Sequence, residues 1–176
     1  MNRSNVIRPY DILKSYKINM LRDIIYYYKQ ELTQTFQFLK DSKDFLEYKK
    51  MAKKISAEVY TVRFSSLMNM ALVYFYALYE GFNRTFFEKL LRHDTSISHR
   101  EFKRRYPEFY DIKHKVIRGI YHIRISQEIF DVIDILRRAR NGIVHLGKKC
   151  KQDFEIVDIC YEAIVKYYEL IEKEVK

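Results

Sequence analysis

The chain has 176 residues with 4 Gly, 2 Pro and 2 Cys, and its 33 Lys and Arg against 23 Asp and Glu leave a net charge of +10. That length suits one domain of the usual ~100–200 residues, the scarcity of turn formers demands long helices, and the charge favours a polyanionic partner, most simply nucleic acid. Cys150 and Cys160 are too few and too far apart for a zinc site or a disulfide framework. Met1 to Pro9 lacks the apolar centre of a secretory leader. The longest uncharged run, Phe64 to Tyr79, falls short of the about 20 residues that a membrane span needs, so a reducing cytoplasm and no membrane partner are expected.

In chain order, Pro9 suits a helix start. From Tyr10 the positions Ile12, Leu13, Tyr16, Met20, Leu21, Ile24, Ile25, Tyr28, Leu32, Phe36 and Leu39 repeat at helical spacing. This predicts a long first helix ending near Asp41-Ser42. Ser42 or Asp44 then caps a second, through Phe45, Leu46, Tyr48 and Met51, so residues 1–55 would form an added helical hairpin. Lys49, Lys50, Lys53 and Lys54 read as a solvated face. Ser56 to about Arg92 reads as a central helix, apolar nearly all round between Leu67 and Phe87. Glu80 lies inside that stretch. A carboxylate there needs a partner, either an arginine across a groove or Arg140 and His145. Gly81 permits close helix approach.

His93 to Ile97 reads as a loop, and Ser98 as the cap of a short helix to Arg105 that Pro107 breaks off. Arg100, Lys103, Arg104 and Arg105 interleave with Phe102, Tyr106, Phe109 and Tyr110. Basic and aromatic residues together can hold phosphates and stack on bases, or the aromatics can simply pack inward. Ile112 to Ile125 is open between helix and extended connector, and His114 and His122 have no evident partner. Ser126 caps the next helix, with the stripe Ile129, Val132, Ile133 and Leu136. Lys148-Lys149-Cys150-Lys151 forms a basic turn. Asp153 caps the last helix, whose apolar face includes Cys160.

The chemistry concentrates in Leu136-Arg137-Arg138-Ala139-Arg140-Asn141-Gly142-Ile143-Val144-His145-Leu146-Gly147. Asn141 and His145, four apart, share a helix face, and the long Arg140 side chain reaches the same cleft from a neighbouring face. Arg supplies a planar fork for phosphate, and His moves protons near neutral pH. Arg92/His99 and Arg118/His122 lack the adjacent Asn and the glycine exit, so they read as decoys. A metal cluster, a phosphate-cradling glycine loop and a serine or cysteine triad find no residues to build them.

This stretch resembles the signature of the HEPN superfamily: Arg, a polar residue, three residues of apolar character, then His, where two bundle helices meet. Ala71-Leu72-Val73-Tyr74-Phe75-Tyr76-Ala77-Leu78-Tyr79-Glu80-Gly81-Phe82 resembles the buried helix of bacterial HEPN proteins that carries an aromatic, Glu, Gly, aromatic segment. The resemblance implies an all-α bundle of four to six long antiparallel helices, residues 1–176 forming one domain. It also implies a metal-independent, cofactor-free endoribonuclease with a composite site across a homodimer interface. His145 would be the acid or base, Arg140 the charge stabiliser and Asn141 the holder of the turn, with Glu80 orienting Arg140 or His145. Arg137, Arg138, Lys148, Lys149, Arg104 and Arg105 would hold RNA, including tRNA, and the setting would be a toxin or phage-defence effector. HEPN-like domains also include non-catalytic members. That leaves open a helical dimer binding nucleic acid, an antitoxin or a nucleotidyltransferase-type partner, and, third, a nucleotide-binding module.

Overall fold

The helix signals become six α-helices and one π-helix in the computed structural model, which describes residues 9–147 and 153–175. Among the described residues there is no strand, and no helix is long and apolar enough to cross a membrane.

Helix α1 (Pro9–Met51) is one uninterrupted rod of 43 residues. The expected break at Asp41-Ser42 does not occur, so the N-terminal hairpin is replaced by a single helix. The polar residues there find partners inside the helix: Ser42 Oγ donates to the Phe38 carbonyl at 2.7 Å, and Gln37 Nε2 donates to Asp41 Oδ1 at 2.7 Å. Meanwhile Ile25, Leu32, Leu39 and Leu46, seven residues apart, are all buried. A seven-residue repeat keeps one seam of a helix facing its neighbours, and it runs straight through the expected stop.

Helix α2 (Ala57–Thr95) starts where Ser56 Oγ accepts the Val59 N–H at 3.3 Å. It ends when Ser96 turns left-handed at φ 56°, three residues later than the loop expected from His93. Helix α3 (His99–Arg105) is capped by Ser98, whose Oγ accepts the Glu101 N–H at 3.2 Å, and Pro107 follows it. A short α4 (Phe109–Asp111) passes directly into a π-helix, Ile112–Ile120. The chain then leaves helical structure at Tyr121 and runs as an irregular connector to Ser126, so the ambiguous stretch holds both structures. Helix α5 (Gln127–Leu146) and helix α6 (Phe154–Glu174) complete the chain, α6 capped by Asp153.

Cross-helix contacts give the topology. Tyr74 Oη donates to Glu31 at 3.0 Å and Tyr60 Oη to Glu47 at 3.3 Å, so α2 descends as α1 rises. Lys29 meets Glu169 at 3.7 Å and Thr33 meets Tyr161 at 3.3 Å, so α6 is also antiparallel to α1. Helix α5 packs between α2 and α6, closing a ring in the order α1, α2, α5, α6. This is a four-helix bundle with alternating directions, and α3, α4 and the π-helix are inserted between its second and third members.

The largest fully buried side chains of the core are aromatic. Phe75, Phe82, Phe86 and Phe87 from α2 and Tyr167 and Tyr168 from α6 are all inaccessible to solvent, and Phe82 stands edge-on to both tyrosines. Each such ring removed from water contributes about 1.5–3 kcal/mol. Asn83 is the buried polar residue among those described. Its Nδ2 donates to the Tyr79 carbonyl at 2.7 Å, and its Oδ1 accepts from Tyr167 Oη. Gly81 admits the Tyr28 hydroxyl to within 3.3 Å of where a Cβ would stand, as its place in a tight helix crossing suggested.

Candidate active site

Helix α5 brings the motif to the end of the bundle. Ser126 Oγ caps it from the Ile129 N–H at 3.4 Å, and Phe130, Ile133, Leu136 and Ala139 bury its inner stripe. Arg140, Asn141 and His145 occupy its last two turns. Gly147 closes it in the left-handed region at φ 59°, its N–H donating to the Gly142 carbonyl. Glycine takes that backbone conformation without a Cβ penalty, so the chain is released two residues past His145.

The three polar side chains converge. Arg140 Nη1 donates to Asn141 Oδ1 at 2.9 Å and lies 3.3 Å from His145 Nε2. A guanidinium has no acceptor, so a hydrogen bond here requires Nε2 as the acceptor, with the ring proton on Nδ1. That is the form a general base needs. His145 is exposed, while Arg140 and Asn141 are half-buried. Arg140 also lies over the ring of Tyr76 at 5.9 Å, close to the distance at which a cation is drawn to an aromatic face.

Glu80 does not join them. Its Oε1 accepts Arg84 Nε at 3.2 Å and Nη2 at 3.1 Å, and Arg84 Nη1 reaches the Pro107 carbonyl at 3.3 Å. An arginine one turn along the same helix is aligned without any cross-helix fit, so it takes the carboxylate before Arg140 or His145 can. Glu80 therefore pairs with an arginine at a groove edge, its side chain 29% exposed.

Four of the expected RNA-holding cations are engaged with carboxylates. Arg137 and Arg138 bracket Asp134 at 2.7 and 2.6 Å, and the Arg137 hydrogen bond leads in holding that carboxyl below its usual range. Arg105 Nε donates to Glu101 at 2.9 Å, with Arg104 at 3.4 Å from the same oxygen. Lys148, Lys149 and Cys150 lie outside the described residues. In the basic–aromatic segment, Phe102 is buried, Tyr106 packs on it at 5.2 Å, and Phe109 stands edge-on to Tyr79 at 5.6 Å. Three of the four aromatics thus pack inward, and Tyr110 alone is exposed.

Two residues joined to this region had no sequence signal of their own. Tyr76 is buried, and its hydroxyl is held above its ordinary value by burial and by Glu80, against Arg137, Arg140 and Arg84. It is the ring around which the charges of α2 and α5 gather. His114 packs at a tilt against Tyr110, ring centres 4.2 Å apart, and is held below its ordinary value by burial, then by Lys113 and Arg118. Neither stands out in a chain with 16 Tyr and 5 His. Cys160 is buried in the core, and burial pushes its thiol up to about 12.

No family model matches the chain, and neither a curated protein nor a solved structure matches it. The chemistry open to the site follows from its own residues: a cation suited to phosphate, an amide that holds it, and a solvent-accessible imidazole within reach of that cation.

Proposed function

We propose that the protein is a metal-independent endoribonuclease of HEPN type, with Arg140, Asn141 and His145 as its catalytic residues. The observation that carries the reading is the 3.3 Å approach of Arg140 Nη1 to an exposed His145 Nε2, with Asn141 steadying the guanidinium. A phosphodiester seated on Arg140 would bring its ribose 2′-OH to Nε2. His145 takes that proton, the 2′-oxygen attacks phosphorus, and Arg140 offsets the charge growing on the non-bridging oxygens. The 5′-oxygen departs with a proton, leaving a 2′,3′-cyclic phosphate.

One His145 cannot at once accept the first proton and donate the second. A second copy of the chain supplies the acid, and the apolar surface beside the motif suits such a pairing. Val144 and Leu146 flank His145 at 50% and 65% exposure. An apolar groove of about 500 Å³, lined by Phe38, Met70, Tyr74 and Ile143 among others, runs alongside. In this reading the protein is a cytoplasmic toxin or phage-defence effector.

The test is incubation with total RNA and with tRNA, with and without EDTA. The reading expects EDTA-resistant products ending in cyclic phosphate. His145→Ala and Arg140→Ala each lower the rate at least 100-fold, with the helical circular dichroism unchanged. The second reading is a non-catalytic helical dimer that binds nucleic acid or a protein partner. Its protein-binding form is favoured by the engagement of Arg137, Arg138, Arg104 and Arg105 with carboxylates, which leaves them less free for phosphates. The second reading expects RNA binding that survives both alanine variants and no cleavage by any of them.

A further inference from the structure

A groove of about 560 Å³ opens between α2, the α4–π-helix segment and α5. Its volume lies within the ~300–1,000 Å³ range of ligand sites. Tyr76, whose ring lies beneath Arg140, forms one part of its wall, and Arg137, three residues before Arg140 on α5, forms another. The groove therefore adjoins the motif on its Arg137 side.

Its other wall carries features that folding alone does not require. Tyr110 is 68% exposed, whereas its neighbour Phe109 packs edge-on to Tyr79. The Tyr110 ring is braced by His114 at 4.2 Å with an interplanar angle of 37°. His114 and Lys113 sit on the nine-residue π-helix. π-helical geometry is rare, appears mostly as single turns and often marks functional sites. Lys113 lies over the Phe130 ring at 4.2 Å, which ties the π-helix to α5.

Charge selects the occupant. Arg84, Lys113 and Arg137 are balanced by Glu80, Glu108 and Asp134 around the groove. A phosphate would gain little in so neutral a place, but the donor and acceptor edge of a base would find both kinds of partner. Tyr and His rings are the usual stacking surfaces for single-stranded bases. We infer that the groove binds one unstacked RNA base against Tyr110 while the adjoining phosphate lies on Arg140. The inference rests on the ribonuclease reading for the identity of the strand, and its test is a binding measurement that needs no turnover.

A short single-stranded RNA carrying 2-aminopurine is titrated into the full chain bearing His145→Ala, which prevents cleavage. Quenching of the probe is expected on binding. Adding Tyr110→Phe, which keeps the ring, preserves quenching and affinity. Adding Tyr110→Ala removes the quenching and raises Kd about tenfold. Unchanged quenching and affinity in Tyr110→Ala, or no binding by the parent protein, would overturn the inference. Failure of the nuclease reading shows separately, as RNA that the wild-type chain binds and quenches but leaves intact.

Discussion

A single buried amide shows how much one residue can carry in this bundle. Asn83 has its Nδ2 on the Tyr79 carbonyl at 2.7 Å and its Oδ1 on the Tyr167 hydroxyl, all inside an aromatic core. Removing that hydroxyl strands a buried acceptor, at a cost of about 1–3 kcal/mol. Tyr167→Phe is therefore expected to lower the urea unfolding free energy by that amount, although phenylalanine is the more apolar residue. A rise in stability would mean that Asn83 finds another partner. The motif trio was legible in the sequence because arginine, asparagine and histidine at those spacings must meet at a helix end. Glu80 was legible as a carboxylate needing a cation, but not which cation. The choice fell to Arg84 because neighbours on one helix are aligned before helices pack. Tyr76 and His114 were not legible, since their roles exist only once three separate elements meet.

At the scale of the element, α5 carries two glycines with opposite meanings. Gly142 sits inside the helix with open space where a Cβ would go, whereas Gly147 holds φ 59° at the exit. Alanine at 142 removes the flexibility penalty of glycine, and alanine at 147 forces a Cβ into a left-handed turn. Thermal melts should place Gly142→Ala above wild type by about 0.5–1 kcal/mol and Gly147→Ala below it by about 1 kcal/mol. Equal shifts of one sign would contradict this account of how the motif helix ends. Helix starts were readable because Ser56, Ser98, Ser126 and Asp153 each cap through their own side chain. The stop at Asp41-Ser42 was misread, because side chains that cap a terminus can equally be satisfied inside a helix when an apolar seam continues past them. The π-helix had no signature, because its hydrogen-bond step is set by the packing of Ile112, Val116 and Ile117 into the core.

For the whole molecule, the core includes groups that can ionise. Burial leads in pushing Tyr79, Tyr167 and Tyr168 above the ordinary tyrosine value, and it pushes the Cys160 thiol up to about 12. All four folded-state values are raised. The stability these groups contribute is thus complete below their unfolded values, about 8.5 for Cys and 10 for Tyr, and is lost as pH climbs through the folded ones. The urea midpoint should hold steady from pH 7 to about 8.5 and then fall, more steeply beyond about 10. Cys160→Ala should delay the onset without removing the tyrosine-driven fall. A flat profile to pH 11 would mean these hydroxyls reach water. The all-helical class was plain from the scarcity of Gly and Pro, and the centrality of α2 from its apolar circumference. The order of helices around the ring was not, because that depends on which seams fit together.

The seam on α1 also bears on how the protein is made. Ile25, Leu32, Leu39 and Leu46 precede α2 in the chain, so they emerge from the ribosome before α2 can fold back to cover them. At about 5–20 residues per second, the growing chain carries a wet leucine ridge for a few seconds until α2 folds back along it. Synthesis from N- to C-terminus makes α1 and α2 available to pair before the motif on α5 is made.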